Sequence, residues 1–291
     1  MKAGVRMKKK MLICLMFASL IHGNTWKSKK IEYAFSLDPI DVVIPCHKKD
    51  CRTLERVISG IKKHITHRRL IIVSSERLTD NAEWFDEHKY PMSMKDIAYE
   101  LFQDEEKAVA YMQDPRSRVG WIYQQFLKLY ASFVIPDISK NILVVDADTI
   151  FFKPVTFLTK SGAPMFNVGT EFHPPYFSFM DRLLPGMEKI FPDYSGICHH
   201  MLLQKPVLQD LFDTVEQIHL MPFWKAVCRL ADHSELYGSC FSEYELYFNF
   251  LFTRSNQGVI RLLHFDNFPL RAFDATNKKG YDYVSYHSWI D

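Results

Sequence analysis

The sequence predicts a single α/β domain in which helices flank a mostly parallel sheet. Continuous apolar runs at residues 41–45, 70–73 and 141–146 have the length and composition of strands that are buried on both faces. A helical pattern separates the first two runs, and a strand–helix–strand order favours parallel strands joined by a right-handed crossover. No internal repeat and no Gly/Ser-rich linker interrupts residues 41–291, which indicates one domain.

The first half of this domain carries two clear helical patterns. Four apolar residues recur at helical spacing within 51–64, so this segment is predicted to be an amphipathic helix. Residues 79–115 are polar and are predicted to be irregular apart from a helix around 105–112. A long helix is predicted over 119–133, and Pro136 ends it because proline does not continue a helix.

The second half alternates short strands and helices. The third strand ends in a carboxylate, at the edge where open α/β sheets bind ligands. Further strands are predicted at 151–155, 163–168 and 258–263, and the tail at 283–289 closes the chain. Further helices are predicted at 204–219, 222–232 and 241–253.

Composition and charge narrow the class of protein. Hydrophobic residues make up 47% and charged residues 24% of the 291 residues, which excludes a chain that is disordered throughout. The net charge of +2 comes from eight Lys and Arg in the first thirty residues, because residues 31–291 hold 28 basic and 34 acidic side chains. A mildly acidic body does not favour nucleic acid as a partner.

The first 23 residues are predicted to be a signal peptide or a membrane-associated leader. Three lysines at 8–10 precede eleven uncharged, mostly apolar residues at 11–21, which are too few to span a bilayer as a helix. Cleavage is expected near Gly23, with residues 24–40 as a linker to the domain at 41–291. The leader predicts a secretory-pathway or membrane-associated location: a Golgi-type lumen in a eukaryote, or a membrane face in a bacterium.

The six cysteines do not predict a disulfide framework. Cys14 lies in the leader, and the other five form no Cys-x-x-Cys pair, so a structural zinc site is not expected. A bridge between Cys46 and Cys51 stays open, although buried free thiols are favoured.

The segment around Asp146 and Asp148 is the strongest candidate for chemistry. Alternate residues of an extended chain share a face, so both carboxylates leave the buried strand in the same direction. Two such carboxylates repel each other unless a cation lies near them, and an all-oxygen set suits Mg²⁺ or Mn²⁺. The simpler alternative is that this Asp-x-Asp serves only to form a turn.

Several segments together resemble glycosyltransferases of the GT-A fold, a Rossmann-like α/β class. These are DVVIPCHKKD (41–50), the helix with Gln124, Gln125 and Lys128, VVDADTIFFKPV (144–155), SGICHHMLL (195–203) and SEYELYFNF (242–250). In this order they resemble one family of GT-A-like proteins of unknown function, DUF6492. The resemblance implies a nucleotide-diphospho-sugar donor, a divalent ion (Mn²⁺ or Mg²⁺) and transfer to a hydroxyl on a glycan, lipid or protein acceptor.

The resemblance also implies roles for the metal and donor residues. Asp148 would bind the ion and so take part in catalysis, and Asp146 would bind the ion or the donor ribose. His287 is similar to a C-terminal histidine that completes the metal shell, with His264 as a competitor for this role. Lys128 would face the donor phosphates, unless it is a surface lysine. The residues implied to meet the nucleotide base are Pro45, Cys46 and His47.

Acceptor and base residues follow from the same resemblance. Glu243 begins a predicted helix and is the candidate base if the reaction inverts stereochemistry. The alternative is that it only interacts favourably with the helix dipole. His199 and His200 are implied to border the acceptor pocket, although neighbours on a strand point to opposite faces, so that one packed inside and one exposed is the alternative.

Two other functions stay open from the sequence. A phosphatase of the haloacid dehalogenase type also has a strand followed by Asp-x-Asp, but it needs a later lysine and an acidic pair at strand ends. A catalytically inactive GT-A homologue that binds a nucleotide or a glycan is the second alternative.

Overall fold

The computed structural model describes residues 25–28, 30–274 and 280–290. The leader predicted over residues 1–23 lies outside these residues. No helix within the described residues is long and apolar enough to cross a membrane.

The described residues form ten strands and nine α-helices. The strands are β1 (Asp41–Pro45), β2 (Arg69–Ser74), β3 (Glu83–Asp86), β4 (Asn141–Val145), β5 (Thr149–Phe151), β6 (Met165–Phe166), β7 (His200–Gln204), β8 (Val259–Ile260), β9 (Phe265–Pro269) and β10 (Tyr283–His287). The helices are α1 (Thr25–Ser28), α2 (Cys51–His64), α3 (Met94–Phe102), α4 (Glu105–Gln113), α5 (Val119–Val134), α6 (Pro174–Leu183), α7 (Lys205–His219), α8 (Phe223–Leu230) and α9 (Glu243–Arg254).

The main sheet has five strands in the order β3-β2-β1-β4-β7. The first four are parallel, and β7 runs antiparallel to β4 at one edge. Because parallel strands end at the same edge, the loops after β1 and β4 meet there. The predicted fold class, a mostly parallel sheet flanked by helices in one domain, is confirmed.

Both faces of this sheet are covered, which explains why its strands are apolar throughout. Val43 and Val144 pack in the same cluster as Phe126 of α5. Val42 and Leu143, their neighbours along the strands, pack on the opposite face with Ile58 of α2. The alternation of side chains along a strand thus sends successive residues into two cores.

A second sheet places β10, near the end of the chain, beside the loop that follows β4. Its order is β5-β10-β9, with β10 antiparallel to β5 and parallel to β9. Ser285 pairs with Thr149, and the hydroxyl groups of these two residues lie 2.8 Å apart. The backbone N–H of Tyr286 donates to the carbonyl of Asp148 at 3.1 Å, so β10 fixes the loop that follows β4.

Most predicted elements are confirmed within one or two residues, but the polar stretch 79–115 is more regular than predicted. It contains β3 and α3 as well as α4. Helix α3 begins with a capping box, in which Ser93 and Asp96 satisfy each other's backbone N–H groups. The predicted strand at 151–155 occurs earlier, as β5, and α6, β7, β9 and β10 were not among the predicted elements.

Residues 24–40, predicted to be a linker, pack against the domain where the structure describes them. The ring of Trp26 stacks on Phe250 with centroids 5.8 Å apart. The hydroxyl of Tyr33 donates to Asp210 Oδ2 at 2.6 Å. Trp26 and Tyr33 thus attach this segment to the domain. The sequence did not predict this packing, because two aromatic residues in a polar segment form no periodic hydrophobic pattern.

The five described cysteines are all free thiols. Cys46 and Cys51 form no bridge, in agreement with the favoured prediction. The remaining three are buried, and they are Cys198, Cys228 and Cys240.

We expect Gly196→Ala to lower the free energy of unfolding by about 1–3 kcal/mol, as for overpacking of a dense core. A Cβ at position 196 would lie 2.7 Å from Cβ of Phe248 and 2.9 Å from the carbonyl oxygen of Tyr244, both in α9. Urea unfolding followed by circular dichroism measures the effect. The matched control is Gly120→Ala within α5, where the nearest atom is Met94 Sδ at 3.9 Å and alanine favours the helix. Equal stability of the two variants would contradict the close approach.

Candidate active site

A cavity of about 620 Å³ opens at the carboxyl ends of the parallel strands. Cavities of this size accommodate a small-molecule substrate. Its walls come from the loops after β1 and β4, from one face of α5, from the start of α9 and from the end of β10. The lining includes Lys49, Asp50, Arg118, Trp121, Gln124, Gln125, Lys128, Asp146, Asp148, Glu171, Tyr176, His199, Ser239, Glu243, Tyr244 and His287.

The Asp146-Ala147-Asp148 turn is held by backbone contacts on both sides. The N–H of Asp146 donates to the carbonyl of His199 at 2.9 Å, and the N–H of Thr149 donates to the carbonyl of Asp146 at 3.1 Å. Thr53 Oγ1 in α2 donates to the carbonyl of Ala147 at 2.7 Å. The direction of both carboxylates is therefore set by the two sheets and by α2.

Lys128 forms a buried ionic bridge between two carboxylates. Its ammonium lies 2.5 Å from Asp146 Oδ1 and 2.6 Å from Glu243 Oε1, and its side chain is 3% exposed. Nζ also lies 4.4 Å from the ring centroid of Tyr244, whose hydroxyl donates to Asp146 Oδ1 at 3.1 Å. Lys128 is therefore not the surface lysine that the sequence left open, and its charge is already compensated.

This bridge determines the ionisation of its members. Burial opposes the charged form of Lys128, but Asp146 and Glu243 outweigh burial and raise the pKa of its ammonium. Burial likewise opposes ionisation of Asp146, yet Lys128 and His199 hold the pKa of that carboxyl well below its usual range. The pKa of Glu243 is raised, chiefly by burial, although Lys128 acts in the opposite direction. Glu243 is thus the carboxylate of the bridge that accepts a proton more readily.

Asp148 pairs with His287 from the last strand. His287 Nδ1 lies 3.0 Å from Asp148 Oδ2, and its Nε2 lies 3.3 Å from Asn267 Oδ1. A second pair lies beside it, because His199 Nδ1 is 3.4 Å from Asp146 Oδ2 and the two imidazole rings are 4.6 Å apart. Each carboxylate of the Asp-x-Asp motif therefore faces its own histidine.

The two aspartates differ in their availability to a metal ion. Within residues 25–28, 30–274 and 280–290, no group of three or more His, Cys, Asp or Glu side chains is arranged to hold a metal ion. Asp146 Oδ1 is engaged by Lys128 and Tyr244. Asp148 and His287 both line the cavity, and an oxygen and an imidazole nitrogen are donors that Mn²⁺ accepts. These two residues fit a divalent ion whose remaining ligands come from the substrate.

Glu243 is the first residue of α9, but it is not the residue that caps the helix. Ser242 Oγ accepts from the N–H of Glu245 and so caps α9. The N–H of Glu243 donates to Gln125 Oε1 at 3.0 Å, which ties α9 to α5. The Glu243 side chain is turned towards Lys128 and the cavity.

The loop after β1 presents residues other than those predicted to meet the nucleotide base. Pro45 and Cys46 are buried, and His47 is exposed, where its Nδ1 accepts from the N–H of Lys49 at 3.2 Å. None of these three lines the cavity, whereas Lys49 and Asp50 do. The same segment, PCHKKD at 45–50, contains both sets, and only the turn at 48–50 decides which side chains face inwards.

The two adjacent histidines point in different directions, because His199 lies in a left-handed turn and His200 is the first residue of β7. His199 lines the cavity, with a φ of +64° that turns the chain just before β7. His200 is 2% exposed and contacts the rings of Phe151, Phe157 and Tyr283 edge-on. The acceptor role predicted for His200 has no place in this cavity, because its imidazole belongs to the core.

His264 lies away from the Asp148–His287 pair. Its ring stacks on Tyr281 with centroids 4.6 Å apart, and it does not line the cavity. Arg118, Glu171 and Tyr176 do line it, although the sequence did not single them out. They lie on elements without a motif, so their convergence is visible only in the tertiary structure.

We expect Lys128→Met to lower the free energy of unfolding by about 3–5 kcal/mol, because it leaves two buried carboxylates without their counter-charge. Urea unfolding measures this loss. The double variant Lys128→Met with Glu243→Gln should recover part of it, since one of the two charges is then absent. The control Lys62→Met, at an exposed lysine of α2, should change stability by no more than about 0.5 kcal/mol. A Lys128→Met protein as stable as this control would refute the bridge.

His199 and His200 should affect the pH dependence of stability with opposite signs. Burial opposes the charged form of His199, but the hydrogen bond to Asp146 together with the negative charges of Asp146 and Asp148 raises its pKa above 6.5. Its stabilisation is therefore complete below pH 6.5 and is lost as the pH rises through the raised value. Burial lowers the pKa of His200 to about 3, so its contribution is present above pH 6.5 and is lost as the pH falls towards 3.

Urea unfolding of the metal-free protein at several pH values tests this. The stability difference between wild type and His199→Gln should shrink as the pH rises above 6.5. The difference between wild type and His200→Gln should shrink as the pH falls below 6.5. Parallel pH curves for the two variants would contradict the assignment.

Similarity to known proteins places the chain in a family. No curated protein matches it. A solved structure that matches is the crystal structure of mouse xyloside xylosyltransferase 1 in its apo form, with 15% sequence identity and a TM-score of 0.42. The match covers 86% of this chain and 99% of that chain, but so low a score carries no argument about activity. Residues 38–278 match the model of the "Family of unknown function (DUF6492)", and the chain belongs to that family.

Proposed function

We propose that this protein is a metal-dependent glycosyltransferase that moves a sugar from a nucleotide-diphosphate donor to a hydroxyl of a glycan, lipid or protein. The observation that carries the proposal is the Asp148–His287 pair, 3.0 Å apart, in a cavity at the carboxyl edge of a parallel sheet. This edge is where open α/β sheets bind nucleotides. The similarity of the sequence motifs to GT-A glycosyltransferases supports the same activity.

In this proposal Asp148 and His287 hold Mn²⁺ or Mg²⁺ together with the donor. A bound divalent ion neutralises charge on a departing phosphate oxygen, which is worth several kcal/mol in the transition state. Lys49 lies on the same side of the cavity and is exposed, so its ammonium is free to approach the donor phosphates. Asn267 keeps the His287 ring oriented through its contact with Nε2.

The buried bridge supplies the remaining groups. Lys128 positions Asp146 and Glu243 through its two hydrogen bonds. His199 lines the cavity and can hydrogen-bond to a sugar hydroxyl of the acceptor. Glu243 takes the acceptor proton if the reaction inverts stereochemistry, and burial favours this role because a raised pKa brings a carboxylate closer to neutrality.

The leader extends the proposal to the location of the protein. We propose that it acts in the secretory pathway or at a membrane, where residues 1–23 direct it. A fusion of these residues to a cytosolic reporter tests this: a reporter that stays cytosolic would refute the proposal.

We expect one of UDP, GDP, CDP and ADP to raise the melting temperature by at least about 2 °C when Mn²⁺ is present, because a ligand that binds only the folded state stabilises it. Asp148→Asn should abolish the shift while it keeps the fold. The control Asp80→Asn, at a carboxylate that is 92% exposed, should keep the shift. Thermal unfolding of the full chain measures all three proteins.

The other outcomes separate the alternative functions. The phosphatase would be favoured if the folded protein released phosphate from p-nitrophenyl phosphate and no nucleotide changed its melting temperature. The placement of Lys128 does not support that alternative, because it precedes the Asp-x-Asp motif and comes from a helix. A shift without transfer of any sugar, across a panel of donors and acceptors, would favour an inactive homologue.

We expect Glu243→Gln to lower the rate of sugar transfer by about 100-fold or more while the nucleotide-dependent shift persists, as for loss of a general base. Turnover is measured as the transfer of label from a radiolabelled donor to the acceptor that the wild-type protein uses. Glu245→Gln is the matched control for stability, because this buried carboxylate bonds to Ser195 and Asn249 within the core instead of lining the cavity. Turnover by Glu243→Gln equal to wild type would exclude a base at this position.

A further inference from the structure

The cavity wall formed by α5 has a cation at each end. Arg118, Trp121, Gln125 and Lys128 recur at helical spacing and all line the cavity, so they lie on one face of the helix. Arg118 precedes the first residue of α5, and Lys128 lies ten residues further along. Ten residues correspond to about 15 Å of helix axis. The wall is therefore longer than a diphosphate group.

The two cations differ in what surrounds them. Lys128 is compensated by Asp146 and Glu243. Nε of Arg118 is buried without a hydrogen-bond partner, and no carboxylate of the described residues forms an ion pair with its guanidinium. A guanidinium in a cavity, with unused donors, is suited to bind a carboxylate or a phosphate.

Arg118 is also held in place before any ligand arrives. Its guanidinium carbon lies 4.8 Å from the ring centroid of Trp121, a distance typical of a cation–π contact. Trp121 in turn contacts Phe241 edge-on, with centroids 6.2 Å apart. An arginine that stacks on a packed aromatic ring loses little conformational freedom when it binds an anion.

The surroundings of Arg118 differ from the donor end of the cavity. Burial raises the pKa of Tyr176, and of the nearby charges Glu171 and Glu243 raise it further whereas Arg118 lowers it. Arg118, Tyr176 and Glu171 all line the cavity, and none of them comes from the loops after β4 and β1, to which Asp148 and Lys49 belong. Because Lys128 contacts Asp146, the distance along α5 separates Arg118 from the Asp-x-Asp turn. An anion at Arg118 is thus a different group from the donor diphosphate.

We propose that Arg118 binds an anionic group of the acceptor, so that the acceptor class is a sugar or other hydroxyl compound that carries a carboxylate or a phosphate. This inference rests on the proposed glycosyltransferase function and names its acceptor class. Trp121 supplies an apolar surface beside the anion, where the ring of a sugar can pack. Glu171, which is exposed and also lines the cavity, weakens the site by like-charge repulsion.

The test compares charged and neutral probes of the same shape on the full chain, in the presence of Mn²⁺ and the nucleotide that stabilises the protein. Methyl β-D-glucuronide and methyl β-D-glucoside form the carboxylate pair, and glucose 6-phosphate and glucose form the phosphate pair. Calorimetric titration should give an affinity about tenfold or more higher for the charged member of at least one pair, as expected for a charge-assisted hydrogen bond. The pair that discriminates identifies the anion.

Variants assign the effect to Arg118. Arg118→Gln should abolish the preference for the charged probe but keep the nucleotide-dependent shift in melting temperature. Lys49→Gln is the matched control, because it removes the exposed cation at the donor end. It should weaken the nucleotide-dependent shift and keep the preference for the charged probe. Glu171→Gln should strengthen binding of the charged probe, since it removes the nearby negative charge.

Three results would overturn the inference. The first is equal affinity for the charged and the neutral member of both pairs. The second is loss of the nucleotide-dependent shift in Arg118→Gln, and the third is competition between nucleotide and the charged probe; either would place Arg118 in the donor site. Failure of the proposed function is distinguishable, because it appears as the absence of any nucleotide-dependent shift in wild type.

Discussion

The ammonium of Lys128, buried between Asp146 and Glu243, is the interaction on which the site depends. It joins three elements that are far apart in the chain: α5, the turn after β4 and the start of α9. A buried charge is tolerated only when it is paired and hydrogen-bonded, so none of the three elements can move without leaving a charge unpaired. The floor of the cavity is thereby rigid before a substrate binds.

Because of this bridge, the two aspartates of the Asp-x-Asp motif have different roles. Asp146 is engaged by Lys128 and Tyr244 and serves mainly to order the floor. Asp148 is free of that bridge and faces the cavity beside His287, which the pairing of β10 with β5 brings from the end of the chain. One carboxylate stabilises the site, and the other is available for chemistry. This asymmetry is the reason that the proposed metal position involves Asp148 and not Asp146.

The cavity is also asymmetric in charge along its length. Negative groups and the exposed Lys49 lie at the edge of the sheet, whereas Arg118 lies at the far end of α5. A substrate that bridges both ends needs a metal-bound or cationic partner at one end and an anion at the other. The reaction proposed for this protein supplies both, with the donor diphosphate at the sheet edge and an anionic acceptor at Arg118.

The sequence by itself determined the strands 41–45 and 141–145, the helices 51–64 and 119–134, and the position of Asp146 and Asp148 at a strand end, because hydrophobic periodicity and local order are encoded within short segments. It did not determine which of His199 and His200 faces the cavity, because that depends on the left-handed turn at His199 and on the packing of β7 beside β4. The partners of Lys128 and the convergence of Arg118, Glu171 and Tyr176 were likewise decided by the tertiary structure. Contacts between residues distant in the chain depend on how the elements pack, and no local pattern carries that information.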